Sequence, residues 1–383
     1  MCYNSYINTQ TREFIMNTKH LISTGILFAS MFSFTSHANA SYMYANSLSI
    51  NKISTIQDSI IRTAMHTFSR TPTAVMSRQQ QIISNQSIEQ TNQNTPDMYG
   101  HAPMYGTAPM YGEFEAHEFA GRSGGETELA DIKTLQLGYS HYDTKVKFDN
   151  FERTASDYDM LMFGLTDGYT HFMDTTAAWA IYAGLVNGNT SANSVHIDEF
   201  GGYAGLYGRI DMNNFGLAAS FNGGALSNEA KHEFGSDDYT NMWAGAGVNA
   251  TYNINLDNTF VLQPGIYLGY TWIKSGDYLS DSGFQINNTD ANVFEVSPSL
   301  HAIKHINNGW YGTAHVRYVK TSTSGDEITI NKMKYNGLTP ENFVEYGLSL
   351  EKSVERFTFS GTILRRDIGQ DGWGGNLNIK YIF

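Results

Sequence analysis

The sequence holds a single cysteine, Cys2. No internal disulfide can brace this chain, and no cluster of thiolates can hold a metal. Charge is scarce as well. Asp, Glu, Lys and Arg make up 16% of residues, against about 25% in an ordinary soluble domain. The charge present leans acidic, with a formal net of −13. A phosphate backbone needs a basic face, so nucleic acid is not an expected partner. Prolines number only 7, which leaves long stretches free to run as strands. Beyond the N-terminus there is no apolar run of about 18 residues, so no transmembrane helix is expected there. The chain is instead rich in glycine (36), tyrosine (24) and phenylalanine (22).

The N-terminus carries an export signal that begins late. From Met16 the chain reads MNTKHLISTGILFASMFSFTSHANA. Lys19 and His20 form a short basic region, Leu21 to Phe34 an apolar one, and Ala38-Asn39-Ala40 an A-x-A cleavage site. Met16 is read as the true start and residues 1–40 as a leader. Its removal takes Cys2 with it.

Two unlike parts follow. Residues 41–130 are polar and irregular. Residues 131–383 alternate apolar and polar positions over runs of about ten, the mark of two-faced strands. Val344, Tyr346, Leu348 and Leu350 alternate with Glu345, Gly347, Ser349 and Glu351. Phe357, Phe359, Gly361 and Ile363 alternate with Thr358, Ser360, Thr362 and Leu364. About twelve such strands can be counted, at 133–147, 158–173, 177–189, 199–211, 214–226, 240–254, 259–277, 290–306, 309–324, 342–353, 356–367 and 373–383. An even number suits a closed up-and-down barrel.

Connections read as alternately tight and long. Asp174–Thr176, Asn213-Asn214, Leu256–Asn258, Asn307–Gly309 and Glu355-Arg356 are tight. Asn187–Asp198, Ser227–Thr240, Gly276–Thr289 and Thr323–Glu341 are long and polar. Outer-membrane barrels place short turns in the periplasm and longer loops outside. Trp179, Trp243, Trp272, Trp310 and Trp373 are read as interfacial rings. The fold class is therefore an all-β transmembrane antiparallel barrel, located in a bacterial outer membrane with extracellular loops. The expected surroundings are outer-membrane lipid, lipopolysaccharide and the barrel insertion machinery, with the protein a monomer.

Strand phase sorts the polar residues. Arg209, Asp211, Glu295, His301, His315, Arg317, Glu345, Glu351, Arg366 and Lys380 fall on the inward face, where a wet or helix-filled lumen can hold them. His301 and His315 are each read as standing singly there. Leu377, Ile379, Tyr381 and Phe383 form an outward apolar ladder that ends on an aromatic, read as the signal for insertion.

The stretch FVEYGLSLEKSVERFTFSGTILRRDIGQDGWGGNLNIKYIF (343–383) resembles the C-terminal end of the autotransporter β-domain. It holds three strands, a short turn, an Arg-Asp pair, a GW dipeptide and an aromatic terminus. Weaker similarity reaches back to about residue 133 through GGYAGLYGRIDMNNFGLAASFNGG, so about two-thirds of the chain is covered. The resemblance implies a twelve-stranded barrel, a helix in the pore and an N-terminal passenger exported to the cell surface. Only residues 41–130 precede the barrel after the leader, so the exported part is minimal.

Residues 52–70 have helical spacing: Ile53, Ile56, Ile60, Ala64 and Phe68 share one face. This segment could enter the pore, with Arg62 and Arg70 meeting acids such as Glu345 and Glu351. Met-Tyr-Gly recurs three times over 98–112 and reads as a flexible linker. Gly112–Arg122 alternates weakly; as a thirteenth strand it would break the parity.

His196 and His232 sit in expected loops beside Asp198, Glu199, Glu229 and Glu233. H-E-x-x-H and phosphate-loop motifs are missing from the sequence. No catalytic residue, metal site or cofactor is assigned, and the chain is read as a translocator rather than an enzyme. The alternative is a stand-alone pore or a structural or adhesive barrel. A rim enzyme is a third and weaker reading.

Overall fold

The computed structural model describes residues 45, 48–50, 52–65, 133–147, 154–172, 175–192, 195–233, 235–307, 309–337 and 341–383. The leader 1–40, Arg70, the Met-Tyr-Gly repeats and Gly112–Arg122 lie outside the described residues.

Strict alternation makes the first strand. In β1 (Thr134–Val146) every even-numbered residue is buried and every odd-numbered one exposed. The pattern recurs in β2 (Thr154–Phe172), β3 (Thr175–Ala192), β4 (Val195–Met212), β5 (Phe215–His232) and β6 (Gly235–Tyr252). A four-residue β7 (Ile254–Asp257) prolongs β6 into a hairpin with β8 (Phe260–Ser275). The short strands β9 (Tyr278–Leu279) and β10 (Gln285–Asn288) follow, then β11 (Ala291–Asn307) and β12 (Trp310–Ser324). After β13 (Ile328–Ile330) and β14 (Met333–Tyr335) come β15 (Phe343–Val354), β16 (Phe357–Ile368) and β17 (Gln370–Ile382).

Twelve strands close on themselves, each pairing antiparallel with its neighbours in chain order. The seam joins β17 to β1 over the register Thr134↔Ile382 to Val146↔Gln370. Every barrel strand therefore has two partners, and no backbone edge faces lipid. The outer face is apolar: Leu137, Phe163, Leu206, Phe221, Leu268, Leu348, Ile363 and Leu377 are all exposed. In water such a surface would aggregate, whereas in a bilayer it is solvated.

One end of the barrel carries tight turns, here called the turn end. Asn213 and Glu355 take positive φ there, at 50° and 52°. At the Asn258-Thr259 turn, the Thr259 hydroxyl and amide donate to Asp257 and hold its carboxyl below the usual range. The opposite end carries a small sheet, ordered β14-β13-β10-β9, built on Ile286, Ile328 and Ile330. This is the sheet end.

Loop lengths at the sheet end differ from the expected rhythm. β3 runs to Ala192 and β4 starts at Val195, while β5 ends at His232 and β6 starts at Gly235. His196 and His232 are thus strand residues. Several inward positions are apolar here (Val186, Ala192, Val195, Ile197, Ala230) beside the buried Thr190, Glu199 and Asn228, while outward ones turn polar (Asn189, Asp198, Glu229, Lys231). Strands of 18 residues exceed the roughly 9–11 needed to span lipid, so β3–β6 stand above the apolar band. The other two expected loops supply the strands of the small sheet.

The β16–β17 connection is a single residue, Gly369. Before it Ile368 takes φ 83°, a conformation that strains a β-branched residue. Ile368 is 68% exposed, so its side chain gains little from packing. Ile368→Gly is expected to stabilise the barrel by about 1 kcal/mol, read from its urea unfolding midpoint in lipid vesicles. A lower midpoint would contradict this account.

Candidate functional site

The lumen holds a helix. Residues 52–65, with 45 and 48–50 above them, form α1 inside the barrel. Its apolar face (Ile53, Ile56, Ile60, Ile61, Ala64) is fully buried and shares one cluster with Tyr142, Tyr158, Met160, Met162, Tyr182, Trp243 and Leu364 of the wall. Among described residues no helix is long and apolar enough to cross a membrane, which says nothing against crossing by strands.

The helix has a defined direction. Lys52 touches the backbone oxygen of Asp157, whose register partner in β1 is Asp143. Thr63 lies beside Gly138, five residues closer to the turn end along β1. Ala45 and Leu48 pack with Val146, Val195, Ile197 and Tyr239 at the sheet end. Thus α1 enters from the sheet end and points toward the turn end.

Three arginines and three carboxylates join helix to wall. Arg317 of β12 grips Asp58 of α1 with two hydrogen bonds of 3.0 and 2.8 Å. Its Nε donates to Glu345 of β15 at 2.9 Å. Arg366 of β16 donates through Nε to the other Glu345 oxygen at 2.9 Å and through a terminal nitrogen to Gln370 at 3.0 Å. Arg62 of α1 reaches Glu345 as well, and pairs with Asp58 one turn back at 2.9 Å. Glu295 of β11 stands 3.6 Å from Arg317. The Arg366 guanidinium lies between the rings of Phe343 (4.9 Å) and Tyr142 (5.2 Å). Arg366 and Glu345 are wholly buried.

Formal charges in this group cancel, three against three. They also cancel within each partner, since Asp58 and Arg62 balance on the helix while Arg317 and Arg366 balance Glu295 and Glu345 on the wall. Buried ions must be paired to be tolerated. Space is used closely here. The gap beside Glu295, lined by Ile50, Ser54, Thr321 and Phe343, is a cavity of about 20 Å³, enough for about one water.

A second anchor sits higher. Lys52 pairs with Glu199 of β4 at 2.6 Å. It also donates to Asp157 O (2.7 Å), Asn189 O (2.9 Å) and Thr190 Oγ1 (3.1 Å). Ser59 shares a 2.8 Å hydrogen bond with Tyr158, and Ser49 one of 2.7 Å with Tyr239.

The lumen-facing residues read from the sequence divide between two places. Glu295, Arg317, Glu345 and Arg366 meet at α1. Arg209 and Asp211 pair with each other at 2.8 Å nearer the turn end. Glu351 is buried and Lys380 half-buried on the same inward face. His301 and His315 do not stand singly: their rings stack at 5.6 Å across β11 and β12, where they are register partners. Trp243 is not an interfacial ring. It is 3% exposed, points inward and donates to Asn222 at 3.4 Å. Its strand phase, shared with Asn241 and Asn249, carried that information. Leu377, Ile379 and Phe383 are exposed on the outer face, with Tyr381 against Phe357 at 4.9 Å. Lys52 and Asp58 were not singled out from sequence, and Glu199, read there as a loop carboxylate beside His196, is a buried strand residue. The Asp58–Arg62 spacing of four was the available signal.

A family model described as the autotransporter β-domain matches residues 135–363. The chain belongs to the autotransporter β-domain family. No curated protein matches the chain. Among solved structures, the transport unit of the Escherichia coli autotransporter AIDA-I aligns with TM-score 0.54 at 14% identity, covering 69% of this chain and 94% of that one. The β-domain of the Bordetella autotransporter BrkA aligns with TM-score 0.56 at 12% identity, covering 66% and 100%. The translocator domain of NalP from Neisseria meningitidis gives 0.53 at 14%, covering 67% and 90%. At such identities these three similarities speak for the fold. The family is one of outer-membrane transporters. This autotransporter β-domain shares the closed barrel and carries its own ionic network around α1.

Proposed function

We propose that this autotransporter-like outer-membrane barrel is the translocator of its own short N-terminal segment, and that α1 seated in the lumen is the resting state after passage. The action is physical rather than catalytic. The strands shield a moving segment from lipid, and the polar inward face solvates it on the way. The turn end faces the periplasm and the sheet end the exterior. The outward ladder Leu377, Ile379, Tyr381 and Phe383 offers insertion machinery an aromatic-ended strand.

The observation that carries this reading is the direction of α1. With Lys52 near the sheet end and Thr63 deeper, residues ahead of the helix lead outward. Residue 65 ends α1 at its deeper end, and β1 begins at the turn end.

Epitope tags after Asn46 and within the Met-Tyr-Gly repeats test this on intact cells. The Asn46 tag is expected to bind antibody without permeabilisation. The repeat tag is expected to do so only once the outer membrane is opened. An Asn46 tag hidden until permeabilisation would overturn the export reading.

A further inference from the structure

We propose that the wall formed by β2, β3 and β4 contains a receptor for a single primary ammonium group, filled by Lys52, which fixes the direction and depth at which a segment seats in the lumen. The proposal rests on the reading that α1 is a seated segment.

The receptor's acceptors are held in place by the wall itself. Asp157 O and Asn189 O come from register partners on β2 and β3. Thr190 Oγ1 stands on β3 and donates to Glu199 Oε2 at 3.3 Å, aiming the carboxylate of β4. Ser156 holds the Thr190 hydroxyl from behind at 3.2 Å. The Tyr158 ring covers the ammonium, its centroid 5.6 Å from Nζ. Gly188 supplies the room: a Cβ there would lie 2.9 Å from Nζ and 2.5 Å from Asp157 O. Glu199 is 2% exposed, and its Oε1 has no hydrogen-bond partner among the described residues. These acceptors converge on one point from three strands. A tetrahedral –NH3+ with three donors fits a point, whereas the planar fork of a guanidinium does not.

Charge explains why this site and not the arginine network sets direction. Asp58 and Arg62 cancel within α1, which leaves Lys52 as the unbalanced charge among its described residues. Among the described side chains on the inward faces of β1 to β4, Arg209 and Asp211 pair with each other, which leaves Glu199 unbalanced. The network is neutral on both sides and exerts little pull at a distance. Lys52 and Glu199 attract each other across the lumen before contact. Since Glu199 lies toward the sheet end, the lysine-bearing end of a helix is drawn there.

Chemical rescue of the full chain tests the site. Lys52→Ala, reconstituted in planar bilayers, is expected to spend about tenfold more time open than the parent, because α1 loses its upper anchor. Millimolar n-propylammonium should restore closure. Equal concentrations of propanol, tetramethylammonium or guanidinium should not. Lys52→Arg should stay open like Lys52→Ala, and adding Glu199→Gln to Lys52→Ala should abolish rescue. Should Lys52→Ala fail to assemble, Glu199→Gln alone is expected to raise open time in the same direction. Parental closure in both single variants, or equal rescue by tetramethylammonium, would overturn the proposal. Rescue needs no export step. A hidden Asn46 tag with intact rescue would defeat the translocator reading alone.

Discussion

Glu345→Leu is expected to be the most damaging single substitution in the ionic network, lowering barrel stability by about 3–5 kcal/mol. Glu345 is wholly buried and takes hydrogen bonds from Arg62, Arg317 and Arg366. Leucine fills similar space but accepts nothing. Three guanidinium groups would then share Asp58 and Glu295, and one positive charge would stay buried without a partner. Loss of a salt bridge at a surface would cost far less, because water would take over the charge. Here α1 fills the lumen beside the network and leaves room for about one water, too little to solvate the charge. The measurement is the temperature at which the folded band is lost on gels, with the urea midpoint in vesicles as a second reading. Arg366→Leu in the same chain should recover more than half of the loss, because charges would balance again at two against two. A Glu345→Leu barrel within about 0.5 kcal/mol of the parent, or a double variant as weak as the sum of its singles, would show that the network is not a charge-balanced unit.

Arg62 offers a graded comparison. Its side chain keeps 21% exposure, and without it Glu345 still accepts from Arg317 and Arg366, so Arg62→Met is expected to cost less than Glu345→Leu. That ordering is itself informative. If the helix merely filled space, Arg62→Met and Glu345→Leu would differ little.

The barrel was legible in the sequence because lipid and lumen impose opposite demands on neighbouring residues. Leu348 must be apolar while Glu345, Ser349 and Glu351 need not be, so period two survives along every strand. The ionic network was half legible. Phase alone puts Arg317, Glu345 and Arg366 inward. Whether they meet depends on the stagger between strands, which closure of the barrel sets and no local pattern records. The same stagger brought His301 against His315. Lys52 was hidden for another reason: a lysine early in an amphipathic helix ordinarily marks the solvated face. Only the surrounding wall turns that face inward. At Asn187–Asp198 the polar outward residues masked a strand whose inward face is small or apolar.

Gly247→Ala is expected to cost about 1–3 kcal/mol by overpacking, and that cost should vanish when Tyr267 is shortened. The Tyr267 ring lies flat along the inner wall over Gly247 of β6 and Gly269 of β8, which are register partners. A Cβ on Gly247 would sit 2.5 Å from the tyrosine oxygen and 2.6 Å from a ring carbon; one on Gly269 would sit 2.5 Å from the same oxygen. No backbone atom is among these nearest neighbours, so the clash belongs to one side chain. That side chain cannot swing aside cheaply, because it is 7% exposed and packed in the cluster that holds α1. Tyr267→Ala alone should destabilise through the lost ring, by about 3–5 kcal/mol. In that background Gly247→Ala has room, so the pair should show a favourable coupling of about 1–3 kcal/mol. A complete cycle of four chains, each unfolded by urea in vesicles, measures it. Additive losses would mean that the glycine serves backbone geometry instead of making a seat for the ring. A coupled loss would mean that glycines on the inner wall are places for aromatic rings, which stiffen the strands against the helix they enclose.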